Sequence, residues 1–180
     1  MQGFSRGPFE TSVRQIFIAP QAGAPMQELD SVHVTAGLGI DGDRYANGFG
    51  QFQMSGPEER RLAVRHLSLI AYEDIAAQQA SEGEDVFFAA ETRRNIVTQG
   101  LILEALVGDR FKLGDVAVRG IELCLPCPRP GNLVDKSGFR SQFPGAKGGL
   151  RVAALTSGNI SVNDSVSLET MDQVKRARRS

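Results

Sequence analysis

Phe111-Lys-Leu-Gly-Asp-Val-Ala-Val118 reads as a β-hairpin, two short β-forming runs with Gly114-Asp115 near the turn between them. Downstream of it, Ile121 to Leu125 leads into Pro126-Cys127-Pro128-Arg129-Pro130-Gly131. Three prolines in five positions exclude regular hydrogen-bonded structure there, because each removes a backbone donor. Upstream, Val13 to Ile18 is a β-branched and aromatic run stopped by Ala19-Pro20 and the turn chemistry of Gly23-Ala24-Pro25. Ser31 to Ala36 alternates Val32 and Val34 with Ser31, His33 and Thr35, which predicts a strand with one buried face. Leu67 to Ile70 reads as a short strand, followed by a helix over Tyr72 to Gln79 with Glu73 and Asp74 in its first turn, where carboxylates suit the helix dipole. Arg94 to Thr98 is β-rich, Leu101 to Leu106 reads as a short helix, and Val152–Leu155 and Asn159–Leu168 supply the last two strands.

These segments add up to a mainly β chain with minor α. The composition agrees: 180 residues with 20 Gly and 8 Pro suit a turn-rich β fold better than a helical bundle, in which so much glycine would weaken the helices. The length allows one sizeable core and predicts a single domain over residues 13–168. An N-terminal extension covers 1–12 and a basic tail 169–180. That tail holds Lys175-Arg-Ala-Arg-Arg179, read as a solvated end. Tyr45 to Glu59 has neither period and reads as a long surface loop.

Twenty basic against 21 acidic residues give a net charge of −1, which lacks the electrostatic footprint of a nucleic-acid binder. Two cysteines are too few for a secreted disulfide framework, the first residues carry no signal-like apolar stretch, and no run approaches the ~18 apolar residues of a membrane helix. A cytoplasmic protein with no membrane association is therefore expected.

Cys124-Leu-Pro-Cys127 is the stretch with the most chemistry. A redox dithiol usually sets its first cysteine at a helix N-terminus, which Pro128 and Pro130 disfavour. Structural zinc needs four ligands, and the two histidines, His33 and His66, show no ligand spacing to the cysteines. Two packed cysteines at a strand end are the plain alternative. Against that, a stiff Pro-Cys-Pro corner presents Cys127 at a loop mouth, which suits a nucleophile, a persulfide carrier or a soft-metal ligand. A thiolate there needs nearby positive charge. Arg44, at the end of Gly39-Ile-Asp-Gly-Asp-Arg44, and Arg93 with Asn95 offer guanidinium forks and an amide able to clamp a phosphate or carboxylate, although arginines in polar loops more often make surface ion pairs. The glycine-rich loop lacks the GK[ST] ending of a P-loop, and no GxGxxG opens a helix. His33 and His66 read as structural, and Glu73 and Asp74 as helix-start residues.

Taken in order, Ile16-Phe-Ile-Ala-Pro20 with Gly23-Ala-Pro-Met26, Gly39-Ile-Asp-Gly-Asp-Arg-Tyr45, Arg93-Arg-Asn-Ile-Val97, Val107-Gly-Asp-Arg-Phe-Lys-Leu-Gly-Asp115, Cys124-Leu-Pro-Cys127, and Gly149-Leu-Arg-Val152 leading to Gly158-Asn-Ile-Ser-Val-Asn-Asp164 resemble the MOSC domain family in its small standalone bacterial form. The family takes its name from the C-terminal domain of molybdenum cofactor sulfurases, and the resemblance runs from about Val13 to Val166. It implies a MOSC-type β-barrel-like single domain, a cleft cysteine, and association with the molybdenum cofactor (molybdopterin) or with sulfur transfer. It puts Cys127 at the position of the cysteine that ligates molybdenum in relatives that reduce N-hydroxylated compounds. It also puts Arg44, Arg93 and Asn95 at positions that anchor the phosphate-bearing pterin.

Two features depart from the family: Asn163-Asp164 stands where Gly-Asp is usual, and Tyr45 follows Arg44. The separate β domain of the larger reductases has no room, and there is no cysteine set for an iron–sulfur cluster. Electrons would come from an external donor. No lysine is marked as an anchor for pyridoxal phosphate.

Three functions are compatible with these residues. The first is a molybdenum-cofactor protein acting on a small N–O substrate. The second is a metal-free sulfur carrier with a persulfide on Cys127, which Cys124 resolves, fed by a sulfur donor of the cysteine desulfurase type. The third is a β-barrel scaffold whose cysteines only pack.

Overall fold

The structure, a computed structural model, describes residues 11–47, 66–79 and 85–168. Of the extension expected over 1–12 only Thr11 and Ser12 are described, and Ser12 already belongs to the first strand. The expected surface loop beyond residue 47 and the basic tail 169–180 lie outside the described residues.

The described strands are β1 (Ser12–Ile18), β2 (Gln27–Leu29), β3 (Ser31–Thr35), β4 (Gly39–Ile40), β5 (Leu67–Ala71), β6 (Ile96–Gln99), β7 (Arg110–Leu113), β8 (Val116–Leu123), β9 (Leu150–Ala154), β10 (Gly158–Ser161) and β11 (Val166–Leu168). The helices are α1 (Tyr72–Gln79), α2 (Arg129–Val134) and α3 (Phe139–Gln142). Short 3₁₀ turns lie at Ala89–Thr92, Leu103–Leu106 and Gly145–Gly148. The fold is mainly β, as the sequence predicts.

Eight strands form one sheet in the order β11-β7-β8-β9-β5-β6-β1-β2, and β10-β3-β4 form a second. Every pairing is antiparallel except β5 with β6, whose connection includes α1. The large sheet curls until its β11 edge reaches the start of β1, the strand next to the opposite edge. Val13 N–H donates to the Asp164 carbonyl (2.9 Å), Asn163 N–H to that of Val13 (2.8 Å), and Val166 N–H to that of Thr11 (3.0 Å). These bonds use donors that an open edge would leave to solvent or to another chain. The turn that permits them has Asn163 at φ 72°, a left-handed conformation open to Asn as well as Gly, which explains how Asn163-Asp164 replaces Gly-Asp.

Strand periodicity assigns the two faces. Leu67, Leu69 and Ala71 join Ile16, Ile96, Leu150, Val152 and Ala154 in the larger apolar cluster, whereas Ile70 joins Phe17, Val97, Phe87, Phe139 and Phe143 on the other face. β5 is buried on both faces, so it carries apolar residues on both and shows no alternation, with Ser68 its one polar position. Phe87 meets Phe139 and Phe143 edge-on at centroid separations of 5.1 and 6.3 Å, anchoring the segment between β8 and β9.

Several expectations are corrected. The proline stretch does not exclude a helix: α2 begins inside it, with Pro128 as N-cap and Pro130 in the first turn. The first backbone donors of a helix have no intrahelical partner, so proline forfeits nothing there. Leu101–Leu106 shortens to a 3₁₀ turn, and Asn159–Leu168 divides into β10 and β11 around the Asn163 turn. β2 and β4 are too short to leave a period in the sequence.

Gly148 and Gly149 are fixed by close approach. A Cβ on Gly148 would collide with the Cys124 carbonyl oxygen, and one on Gly149, at φ 105°, with that of Leu69. Cys124 N–H donates to the Gly149 carbonyl at 2.8 Å, so this contact seats the cysteine-bearing segment on the sheet. Gly148→Ala should therefore lower the denaturant midpoint, at unchanged m-value, by about 2 kcal/mol of stability, as for overpacked sites.

His66 is buried, and its Nδ1 accepts the Ala154 N–H at 3.1 Å. Burial lowers its pKa from 6.5 to about 4, against a smaller opposing effect of a backbone hydrogen bond at Gly37. Between these values the unfolded chain binds the proton and the folded chain does not, so stability is lost as pH falls through that window. Thermal melts should show Tm dropping from pH 7 to pH 4, with a shallower drop in His66→Gln.

Candidate functional site

A cavity of about 490 Å³ opens on the sheet face that carries Phe17 and Ile70. Its floor follows from strand register. Glu122 pairs with Arg151 and Arg151 with Ser68, Asn95 N–H donates to the Ser68 carbonyl (2.9 Å), and Phe17 N–H donates to the Asn95 carbonyl (2.7 Å). Four strand segments thus lay one polar row, of which Ser68 and Arg151 line the cavity. Arg151 lies 3.4 Å from the Glu122 carboxylate.

Arg44 and Arg93 enter from loops. Arg44 is held by Asp43, which is 1% exposed and accepts four hydrogen bonds: from Ala19 N–H (2.9 Å), Tyr45 N–H (3.2 Å), Asn95 Nδ2 (3.4 Å) and Arg44 Nη1 (3.4 Å). The Arg44 guanidinium also lies 4.8 Å from the centroid of the Tyr45 ring. Arg93 sits at φ 64°, a left-handed conformation that costs a side-chain-bearing residue about 1 kcal/mol or more. Its Nη1 donates to the Ala24 carbonyl. Ala24 lies in the turn before β2, so this bond ties the Arg93 guanidinium to a segment 69 residues away in the chain.

The arginines feel one another. The Arg93 pKa is lowered from the ordinary arginine value to about 10, first by burial, then by the positive charges of Arg44 and Arg129, with Asp43 and Tyr45 opposing. It remains a cation at neutral pH, and the clustered charge is what a bound anion would relieve. Arg94 also lines the cavity, with Nε on the Gly148 carbonyl (2.7 Å) and Nη1 on the Thr92 carbonyl (3.2 Å).

Cys127 is exposed and lines this cavity beside Pro128, Arg129 and Pro130. Arg44, Arg93 and Cys127, about 50 and 34 positions apart in the chain, therefore share one concavity. The other two sequence candidates sit elsewhere. Cys124 is buried, 1% exposed, outside the cavity lining. Asn95 is 0% exposed, and its side chain is spent inside the protein: Oδ1 accepts from Ser68 N–H (3.2 Å) and Oγ (3.0 Å), while Nδ2 reaches the Phe17 carbonyl (3.2 Å) and Asp43. It stands behind the wall and holds Ser68 and Asp43, the latter in turn holding Arg44.

Sequence reasoning missed Asp43, Ser68, Arg94, Arg129 and Arg151. Asp43 adjoins the selected Arg44, Arg94 lies between the selected Arg93 and Asn95, and Arg129 is two positions from Cys127. Ser68 and Arg151 look like ordinary polar positions in strands, and only pairing places them together. His33 is exposed and bonded to Asp41 at 3.0 Å, away from this cavity.

Among the described residues no group of three or more His, Cys, Asp and Glu side chains is arranged to hold a metal ion. A metal here would take one sulfur from the chain and its other ligands from a cofactor. The donor set suits such a group, with a soft thiol on one side and cationic forks for an anionic substituent on the other. No helix among the described residues is long and apolar enough to cross a membrane.

No curated protein matched the chain. Among solved structures it is similar to the YuaD protein from Bacillus subtilis, at 20% identity and TM-score 0.66 over 88% of this chain and 97% of that one. It is also similar to YiiM from Escherichia coli, at 20% identity and TM-score 0.63 over 91% and 71%, and to YiiM from Geobacillus stearothermophilus, at 15% and 0.62 over 89% and 75%. At these identities the likeness concerns the fold. The sequence profile of the MOSC domain matches residues 62–167, more than half of the chain, and the protein belongs to the MOSC domain family.

Proposed function

We propose that the chain binds the molybdenum cofactor in this cavity and reduces N-hydroxylated or related N–O compounds with electrons from an external donor. The observation that supports this most is the meeting of the exposed Cys127 with Arg44, Arg93 and Arg129 around one concavity. Cys127 would supply the sulfur ligand, and Arg44 and Arg93 would take the phosphate through paired N–H donors. Held there, the cofactor would supply two-electron chemistry that, with two protons, converts an N–O compound to the reduced nitrogen compound and water.

The chain's own residues bind and orient. Asp43 fixes the direction of the Arg44 fork, and the Ala24 carbonyl does the same for Arg93. Asn95 acts as a positioning residue through Ser68 and Asp43. Pro126 and Pro128 restrict the backbone on both sides of Cys127, which lowers the entropy lost when its sulfur engages a ligand.

A second reading, sulfur transfer through a persulfide on Cys127, is favoured by the same exposed thiol among guanidinium groups, which stabilise thiolate and persulfide alike. The burial of Cys124 weighs against its resolving such a persulfide without movement of the segment.

Protein made in cells that synthesise molybdopterin should carry near-stoichiometric molybdenum by mass spectrometry and a fluorescent oxidised pterin. Cys127→Ser should lose the metal while retaining pterin, and Arg93→Gln should lower pterin content at least tenfold. Absence of both metal and pterin from the wild type would overturn the cofactor reading. Cyanide-labile sulfur present in the wild type and lost in Cys127→Ser would then support the carrier, whereas labile sulfur that persists in that variant would remove it.

A further inference from the structure

The cavity that holds Cys127 has a second chemistry at its mouth, which the anchoring of an anion leaves unused. Leu125 is 73% exposed and Leu133 39% exposed, and both line the cavity. They lie on either side of the Pro126-Cys127-Pro128 corner in the chain, Leu125 before it and Leu133 on α2. Across the opening, the turn before β2 contributes Ala22 and Gly23. Gly23 has φ 83°, and a Cβ placed on it would lie 3.7 Å from Leu133 Cδ2. Two segments about 110 positions apart therefore lie side by side at this rim of the cavity.

Leucine side chains this exposed leave apolar surface in water, and the gain on covering it grows with the area removed. The same lining includes five arginines, of which Arg44 and Arg94 are buried, which disfavours a purely apolar ligand beside them and favours an anionic or strongly polar end there. The mouth and the floor thus demand different halves of one ligand.

We propose that Leu125 and Leu133 are specificity-determining residues, selecting small molecules whose polar reacting end enters toward Cys127 and whose aromatic or branched apolar group rests on the leucine lip. This rests on the reading of the cavity as the working site, and it names the substrate class: aryl- or alkyl-bearing compounds in preference to fully hydrophilic ones.

The test uses the full chain produced in cells unable to make molybdopterin, so that the arginines are open to probes, with inorganic phosphate, methyl phosphate and phenyl phosphate titrated by calorimetry. Phenyl phosphate should bind about tenfold more tightly than methyl phosphate. Leu125→Ser with Leu133→Ser should abolish that difference and leave inorganic phosphate binding unchanged. Because both side chains are solvent-exposed, thermal melts should confirm that the double variant folds. Arg93→Gln should weaken all three probes alike. Equal binding of phenyl and methyl phosphate, or a difference that survives the double leucine substitution, would overturn the proposal, as would binding of none of the probes. A phenyl preference that requires the leucines, together with indifference to Arg93→Gln, would uphold the lip while removing Arg93 as an anion anchor.

Discussion

Guanidinium groups that crowd one cavity repel each other, and a fold that keeps them together must fix them by other bonds. In this chain the central fixture is the buried Asp43 carboxylate. It collects donors from the end of β1, from the Tyr45 backbone, from Asn95 and from Arg44 itself. Removing a buried acceptor of this kind leaves several donors without partners, and each unmade bond costs about 1–3 kcal/mol. The placing of Arg44 in the cationic wall depends on this group, although Asp43 itself is almost entirely hidden from the cavity's solvent.

The large sheet then assigns separate tasks to its faces. One face supplies the apolar cluster of Ile16, Leu69, Ile96 and Leu150, which the curled sheet encloses. The other carries both the phenylalanine cluster and the polar row on which the cavity is built. That division allows a charged concavity to stand beside dense apolar packing, because strand alternation separates Ser68 from Leu69 and Arg151 from Leu150 by a single residue. The phenylalanines hold α3, and the glycine pair Gly148-Gly149 seats Cys124 on the sheet. Cys127 is thereby carried at the rim by a segment attached at both ends.

Much of the fold was legible in the sequence because strand and helix signals are local. Val32 and Val34 against Ser31 and His33 reproduce the burial pattern of β3, and the helix over Tyr72–Gln79 lies where its residues place it. The hairpin turns at Gly114-Asp115 between β7 and β8. The misjudged segments have a common cause. Proline at 128 and 130 breaks a helix that is continuing but suits one that is starting, and the local sequence does not distinguish these. Two- and three-residue strands such as β4 and β2 exist through their partners, with no period of their own.

By itself the sequence determined the β-rich class, the family resemblance, and the selection of Arg44, Arg93 and Cys127 as the residues with the most distinctive chemistry. Those readings rest on residue type and short-range spacing, which the chain carries whether or not it is folded. Only the tertiary structure decided that these three border one cavity, that Asn95 and Cys124 lie outside it, and that Arg129, Arg151 and two exposed leucines complete its lining. The physical reason is that a concavity is made by segments remote in sequence. Its members are fixed by strand register and by buried bonds such as those of Asp43, which span tens of residues and leave no local signature.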